Sequence, residues 1–598
     1  MKKRTLLTCG LAAALFAGCS SDDKLTVDDG TVAQGKSGYL ALNISLPSTS
    51  GGSRADSGNN AENQDNEQTE GGTTQEYKVD KIDIVCLDND GKVIETIPIE
   101  SASLGWNAST DNGITTEKLL PVTQVDGTTK KILVLINKPG ALTIGNGTMW
   151  NSGTGTKVYE TVLNSTTDLT GSGTSFFMTN SPLSKGDATN TTLLVDVDVY
   201  NTEAEAMAHV KTVNVERAVG KVSMSHKTES PWDGTYDNWT YTLDKTGYDG
   251  DKIQFTKWIL DNTNKKTYFI RHYNPAWENV KASTEAPYNK QRFRGGTNTY
   301  TGNSEVNEYR TYWAEDPNYD TDLSGTALDD NFKTYDAAEF TTTSLGMNVS
   351  SYCLENTFNV NHMIANQTTR ALVKGTYTPK DFTPGATWYR IGNSITALKA
   401  KKSDPSDPSE ADGLKELIAT ALTTYDQPNN DVEINETKII AGVITISTED
   451  GDLATMRLYF DNLDADDTKA KSQLDALKKY LGGTITVFKN GECFYAIKIQ
   501  HFGQSYTPWG NEPSAFAFDG NKYYDYIKNN VTGEDNYYLG RYGIVRNNWY
   551  ELELGTVSAP GSPTIPALGT DADDEQKYYI QANIKIMNWA VRKQSVNL

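Results

Sequence analysis

Tyr39-Leu40-Ala41-Leu42-Asn43-Ile44-Ser45-Leu46 is followed, after a short polar step, by Arg54, the one basic residue between Lys36 and Lys78. The run alternates apolar and small or polar side chains, so Leu40, Leu42, Ile44 and Leu46 fall on one face of a strand. Burying four such side chains is worth roughly 6–12 kcal/mol at ~1.5–3 kcal/mol each. That matches a whole domain's net stability of ~5–15 kcal/mol. A trypsin-like protease would find one cut, Arg54-Ala55, and would detach an apolar strand from the body of the protein. The remaining apolar groove would need another strand to fill it.

Outward from this run the chain reads as strands joined by polar loops. Residues 47–76 carry Gly51-Gly52, Asn59-Asn60, Gly71-Gly72 and six acidic residues after Arg54, with no apolar periodicity, and read as a linker. Strands are expected at 79–87 and 93–99 around the turn Asp88-Asn89-Asp90-Gly91. Further ones are expected at 131–137, 193–200, 210–215, 219–224, 239–243, 388–391, 439–446, 456–460, 485–488, 494–499 and 549–554. Two helices interrupt them, near 414–422 and 468–481, the second stopped by Gly482-Gly483. The tyrosine-rich stretch 268–335 reads as an elaborated surface loop region. An all-β fold is expected, with a domain boundary near residue 212.

The N-terminus reads as a targeting segment. Lys2-Lys3-Arg4 precede an apolar run from Leu6 to Ala17 that is too short to span a bilayer. Phe16-Ala17-Gly18-Cys19 resembles a bacterial lipobox, which favours lipidation at Cys19 over an ordinary signal-peptide cut near Ala17. Residues 1–18 would then be the signal peptide and 19–54 a propeptide containing the removable strand.

The net charge of −22 argues against nucleic acid as a partner. Metal and cofactor motifs are missing: no HExxH, Walker A, GxGxxG or GxSxG. His209, His226, His272, His362 and His501 lie far apart in the sequence, without metal-ligand spacing. No catalytic group is nominated, and no cofactor. Cys86, Cys353 and Cys493 form no CxxC pair and read as buried free thiols. Two tyrosine clusters, one at Tyr300, Tyr309, Tyr312 and Trp313 and one at Tyr523, Tyr524, Tyr526, Tyr537 and Tyr538, would either pack or stack on sugar rings.

The C-terminus carries the partner of the first strand. Tyr578 to Ile586 places Ile580, Ala582, Ile584 and Ile586 on one face, behind a polar spacer from Gly569 to Lys577. Periodicity alone does not separate a free donor strand from the last strand of the final sheet.

Several motifs together resemble the fimbrillins of type V pili, most closely the long major subunit of the short (minor) fimbriae of Bacteroidales-type bacteria. They are Phe16-Ala17-Gly18-Cys19, Arg54 after the first strand, Phe177-Met178-Thr179, and Val215-Glu216-Arg217-Ala218-Val219-Gly220-Lys221-Val222. Tyr542-Gly543-Ile544-Val545-Arg546-Asn547-Asn548-Trp549-Tyr550 and Ile584-Lys585-Ile586-Met587-Asn588-Trp589 complete the set. The resemblance implies two transthyretin-like β-sandwich domains, at 77–212 and 213–570, with a few short helices in the second and a donor-strand segment at 571–598. It also implies a lipoprotein precursor at the outer membrane and cleavage between Arg54 and Ala55 by an Arg-specific protease. Polymerisation would then join identical subunits head to tail by strand exchange, with anchor and tip subunits as further partners. A stalk subunit is the first expectation. A tip or surface adhesin binding a host protein or glycan is the alternative.

Overall fold

The computed structural model describes residues 36–46, 72–104, 118–154, 157–184, 193–235, 238–274, 294–295, 309–311, 313–321, 323–359, 362–408, 412–428, 431–499, 501, 540, 542–570, 573, 580–587 and 590–591. Strands dominate, and the protein is all-β with a small helical component.

The first core is built from β1 (Ser37–Leu40), β2 (Leu42–Ser45), β3 (Lys81–Leu87), β4 (Val93–Glu100), β5 (Lys118–Leu119), β6 (Thr123–Asp126), β7 (Lys131–Ile136), β8 (Met178–Asn180) and β9 (Lys211–Arg217). One sheet runs β4-β3-β7-β8-β9-β2-β5, and β1 pairs with β6 in another. The 88–91 turn forms as expected: Asp88 Oδ1 accepts from the amides of Asp90 and Lys92, each at 2.9 Å, and Gly91 takes φ 82°. Apolar side chains from Leu40 to Val219 fill this core, joined by Phe269, Ile270 and Leu354.

The opening run is two strands and not one. Its break falls at Ala41, which is buried beside Tyr200 and Ala206 while its carbonyl accepts from Lys211 N at 3.1 Å. A single strand cannot serve two sheets, so the chain steps from one to the other there. The 193–200 segment also departs from expectation, because only Val195–Asp196 is laddered. Its alternation nevertheless holds, with Val197 and Val199 buried and Asp196 and Asp198 exposed.

The second core uses β10 (Gly220–His226), β11 (Trp232–Thr235), β12 (Asn238–Thr242), β13 (Lys252–Asp261), β14 (Ser351–Cys353) and β15 (Arg370–Thr378). Between β15 and the strand that pairs with it, the chain inserts β16 (Trp388–Ile391), α1 (Leu414–Thr424), β17 (Gly442–Thr445), α2 (Leu453–Tyr459), α3 (Asp467–Leu481) and β18 (Thr484–Phe488). It then resumes with β19 (Glu492–Lys498), β20 (Asn548–Val557) and β21 (Ile580–Met587). The sheet orders are β14-β10-β20-β21 and β11-β12-β13-β15-β19. The insertion packs α1 and α3 on the sheet β16-β18-β17 around a core of its own.

Of residues 456–460, expected as a strand, 456–459 belong to α2 and only Phe460 enters a short strand, Phe460–Asp461. Leu453 and Met456, three residues apart, are both buried, and Phe460 follows four later, which is helical spacing. The strands β13 and β15 were not anticipated. A bulge between Phe255 and Lys257 breaks the period of β13, and β15 opens as an unbroken buried run. The stretch 268–335 is likewise not surface throughout: Phe269, Ile270, Arg271, Trp313 and Ala314 are wholly buried.

Candidate functional site

Three features carry the chemistry: the seat of the first strands, the terminal strand, and a charged node between the two sheet cores.

At the seat, β2 lies parallel to β9, with Leu42 opposite Lys211 and Ile44 opposite Val213. On its other side β5 pairs antiparallel. Strand β1 is fastened in turn by β6 and by reciprocal amide–carbonyl bonds between Tyr39 and Tyr200 at 2.8 and 3.0 Å. Leu40, Leu42, Ile44 and Leu46, named from the sequence, are all buried, at 1%, 1%, 0% and 8% exposure. Their common burial survives the break at Ala41, because the sheets they serve enclose one core. Cys19, Arg54 and Ala55 lie outside the described residues, as do Tyr300, Tyr312 and the cluster from Tyr523 to Tyr538. Trp313 is 0% exposed and serves packing.

At the other end, β21 pairs antiparallel with β20. Ile580 stands opposite Val557, Ala582 opposite Leu554, Ile584 opposite Leu552 and Ile586 opposite Tyr550. All four partners on β20 are buried. Among the described residues, therefore, β21 is the edge strand of its own sheet. The spacer before it is not free along its length: Asp573 is 2% exposed. Its Oδ2 accepts from Thr368 Oγ1, its carbonyl accepts from Lys498 Nζ at 2.7 Å and its amide donates to Met363 O at 3.1 Å.

Between the cores, two of the motifs meet. Strand β10 runs parallel to β20, with Lys221 opposite Trp549, and Asn547 N donates to Val219 O at 2.8 Å. A Cβ on Gly220 would stand 2.4 Å from Ile544 Cγ2, which explains the glycine. Gly543, at φ 119°, lies where a Cβ would meet Asn356 O at 2.5 Å. Around this contact sits a set of buried charges. Arg271 grips Glu216 through Nε and Nη2, both at 2.7 Å, and also donates to Arg546 O at 3.2 Å. Arg546 donates through Nε to Glu355 Oε2 at 3.0 Å, and through its Nη atoms to Phe269 O, Tyr268 O and Thr267 Oγ1 at 3.2, 2.9 and 3.2 Å. Glu76 receives Lys221 Nζ at 2.7 Å and Tyr352 OH at 2.5 Å. Arg217 Nε donates to the Glu76 carbonyl at 2.6 Å. Burial alone would raise the Glu76 carboxyl, but Lys221 overrides it and holds the group below its ordinary range.

Sequence reasoning missed Glu76, Arg271 and Glu355 as members of this node. Glu76 stands in what reads as linker, yet it is wholly buried, at N3 of the short helix Thr74–Tyr77 in a capping box with Thr73. The capping box, Thr73-Thr74-Gln75-Glu76, was the available signal. For Arg271 and Glu355 no local pattern announces burial.

Of the histidines, His272 is fixed by stacking and a hydrogen bond. His272 lies between Tyr159 and Tyr268, with ring centroids 3.9 and 3.4 Å away and Nε2 2.6 Å from Tyr159 O. Burial lowers its pKa to about 4. The unfolded chain therefore takes up a proton near pH 6.5 that the folded one refuses until about 4, so this residue withdraws stability as pH falls through that window. Asp316, pushed up to about 7 by burial, acts in the opposite sense. The His272 share is read as the difference between wild type and His272→Asn in urea unfolding: about 2 kcal/mol between pH 6.5 and 5. Equal acid limbs in the two proteins would remove this assignment. Among the described residues no group of three or more His, Cys, Asp or Glu side chains is placed to hold a metal. Cys86, Cys353 and Cys493 are buried free thiols, and burial pushes the first and last up to about 12.

Residues 516–595 match the family model described as "Major fimbrial subunit protein type IV, Fimbrillin, C-terminal". That span contains the second of the two converging motifs, together with β20 and β21. No curated protein matches the chain. Among solved structures, a fimbrilin from Porphyromonas gingivalis W83 is similar at 10% identity over 93% of this chain and 98% of its own, with a TM-score of 0.35. A fimbrial assembly protein from Parabacteroides distasonis is similar at 13% identity over 60% of this chain and 90% of its own, TM-score 0.25. A tip fimbrial protein from Porphyromonas gingivalis, truncated at its C-terminus, shares 10% identity over 59% of this chain and 84% of its own, TM-score 0.23. The likeness to fimbrillins rests on residues 516–595 and not on these remote structures. Residues 516–595 are thus similar to the C-terminal region of the fimbrillin family.

Proposed function

We infer that this chain is a structural subunit of a fimbrial stalk, made as a lipoprotein precursor lipidated at Cys19 and cut between Arg54 and Ala55. It then polymerises when the C-terminal strand of one subunit replaces β1 and β2 of the next. One observation carries the reading: a short N-terminal segment, upstream of the single basic residue between Lys36 and Lys78, fills a core from the edge of β9. Strand addition at that edge supplies main-chain hydrogen bonds, and the vacated positions of Leu40, Leu42 and Ile44 supply apolar pockets. Since donor and seat are different surfaces, the contact is heterologous and propagates.

The donor must first leave β20. Among the described residues β21 is laddered only to that strand, so one ladder is exchanged for another. Asp573 holds the spacer, and the reach available to the donor is the chain beyond it. The partners implied are identical subunits, an Arg-specific protease, and anchor and tip fimbrial subunits; adhesion and biofilm formation would follow from the assembled fibre.

The test is the N-terminal residue of the protein recovered from the cell surface. Ala55 is expected. A lipidated Cys19 on the surface form would make the chain an anchor and end the stalk reading.

A further inference from the structure

A cavity of about 520 Å³ opens away from the seat of β1 and β2. It lies where the end of β13 and the start of β15 meet two short helices, Thr326–Asn331 and Ala337–Thr343, and the 564–568 segment. Its size falls within the ~300–1,000 Å³ of small-ligand sites.

The lining is mixed in a way a packing defect is not. Arg370 is 8% exposed and fixed from two sides: Nε donates to Asp261 Oδ2 at 2.8 Å and Nη2 to Pro566 O at 2.7 Å. Its Nη1 is given no partner by the described residues. Asp261 is held in turn by the Tyr335 amide at 3.0 Å, so the guanidinium is oriented before any ligand arrives. Asn366 also lines the cavity; it is 9% exposed, and its carboxamide oxygen, buried, accepts no hydrogen bond among the described residues. Asp329 and Asp336 stand exposed at the mouth, and Asp336 spends Oδ1 on the Glu339 amide at 2.8 Å. Phe332 and Tyr335 provide aromatic surface beside the apolar side of 564–568.

These groups define the occupant by exclusion. Asp261 and Arg370 neutralise each other, which leaves Asp329 and Asp336 to set the local sign as negative. A phosphate, sialic acid or uronic acid is repelled. A purely apolar ligand would strand the guanidinium and the amide without partners. A hydroxyl both donates and accepts, which suits a lining that offers carboxylates, an amide and a guanidinium together. An uncharged sugar ring also has a C–H face for an aromatic or prolyl surface. We propose that this cavity is a binding site for one or two uncharged sugar units of a glycan, oriented by Arg370 and Asn366. The site does not depend on the strand-exchange reading, since no residue of β1, β2 or β9 lines it.

The experiment uses the full chain and ligand-observed saturation-transfer NMR. The probes are methyl hexosides and N-acetylhexosamines, with N-acetylneuraminic acid and spermidine as charged comparators. Saturation transfer to at least one uncharged sugar is expected, falling at least tenfold in Ala567→Trp, which fills the exposed wall, and in Asp336→Asn. Thermal melting of both variants should stay at the wild-type value, and either one alone suffices if the other fails to fold. Transfer to no uncharged sugar would overturn the proposal. So would transfer that persists in Ala567→Trp, or tighter binding of spermidine or sialic acid than of every uncharged sugar.

Discussion

Arg546→Ala is expected to remove about 3–5 kcal/mol of stability, the range for breaking one side of a buried ion pair. Arg546 is 1% exposed and serves four acceptors through Nε and its two Nη atoms: Glu355 Oε2, the carbonyls of Phe269 and Tyr268, and Thr267 Oγ1. Truncation leaves the Glu355 carboxylate, itself 0% exposed, with Arg271 Nη1 at 3.9 Å as its remaining cationic partner among the described residues. Lysine will not rescue, because one ammonium cannot reach groups arranged for a planar fork. The paired replacement Arg546→Met with Glu355→Gln should cost less than Arg546→Ala alone, since it leaves no buried charge uncompensated. Urea unfolding with a global fit checks both, and a loss under 1 kcal/mol for Arg546→Ala would show that water reaches the node.

The second large effect is on assembly. A chain ending at residue 577 is expected to be cut at Arg54 and to stay monomeric, while Arg54→Ala is expected to stay uncut and equally monomeric. The two failures differ in kind. Without β21 the seat can be emptied but not refilled by a neighbour; without the cut, β1 and β2 keep the seat, and their four buried side chains are worth roughly 6–12 kcal/mol. Size-exclusion chromatography and electron microscopy of surface material read the outcome. Fibres from the truncated chain would take the donor role away from Ile580, Ala582, Ile584 and Ile586. Normal fibres from Arg54→Ala would do the same for cleavage.

How much of this was legible follows from the range of the interactions. The face formed by Leu40, Leu42, Ile44 and Leu46 was readable because period-2 alternation is local. The break at Ala41 was not, since it reflects which neighbours lie on each side. Helix α3 carries its own stop signal at Gly482-Gly483 and α1 spans eleven residues, whereas α2 offers only seven, too few to separate from a strand by period. The buried charges were the least legible. Arg271 and Glu216 are 55 residues apart and Arg546 and Glu355 are 191 apart, so no window contains both partners of either pair. What could be seen were the motifs holding Glu216 and Arg546, without the reason that both are needed.

One connection has a mechanical meaning. Strands β9 and β10 are separated only by a bend at Ala218 and Val219, so one short continuous run passes from the first core into the second. Along its second half it lies parallel to β20, from Lys221 against Trp549 to His226 against Leu554. Tension drawn along that run loads those hydrogen bonds in shear, where they must fail together; an unzipping geometry would let them fail one by one. A fibre of such subunits would resist brief pulls far better than its equilibrium stability suggests, and rupture force would be the quantity its sequence protects.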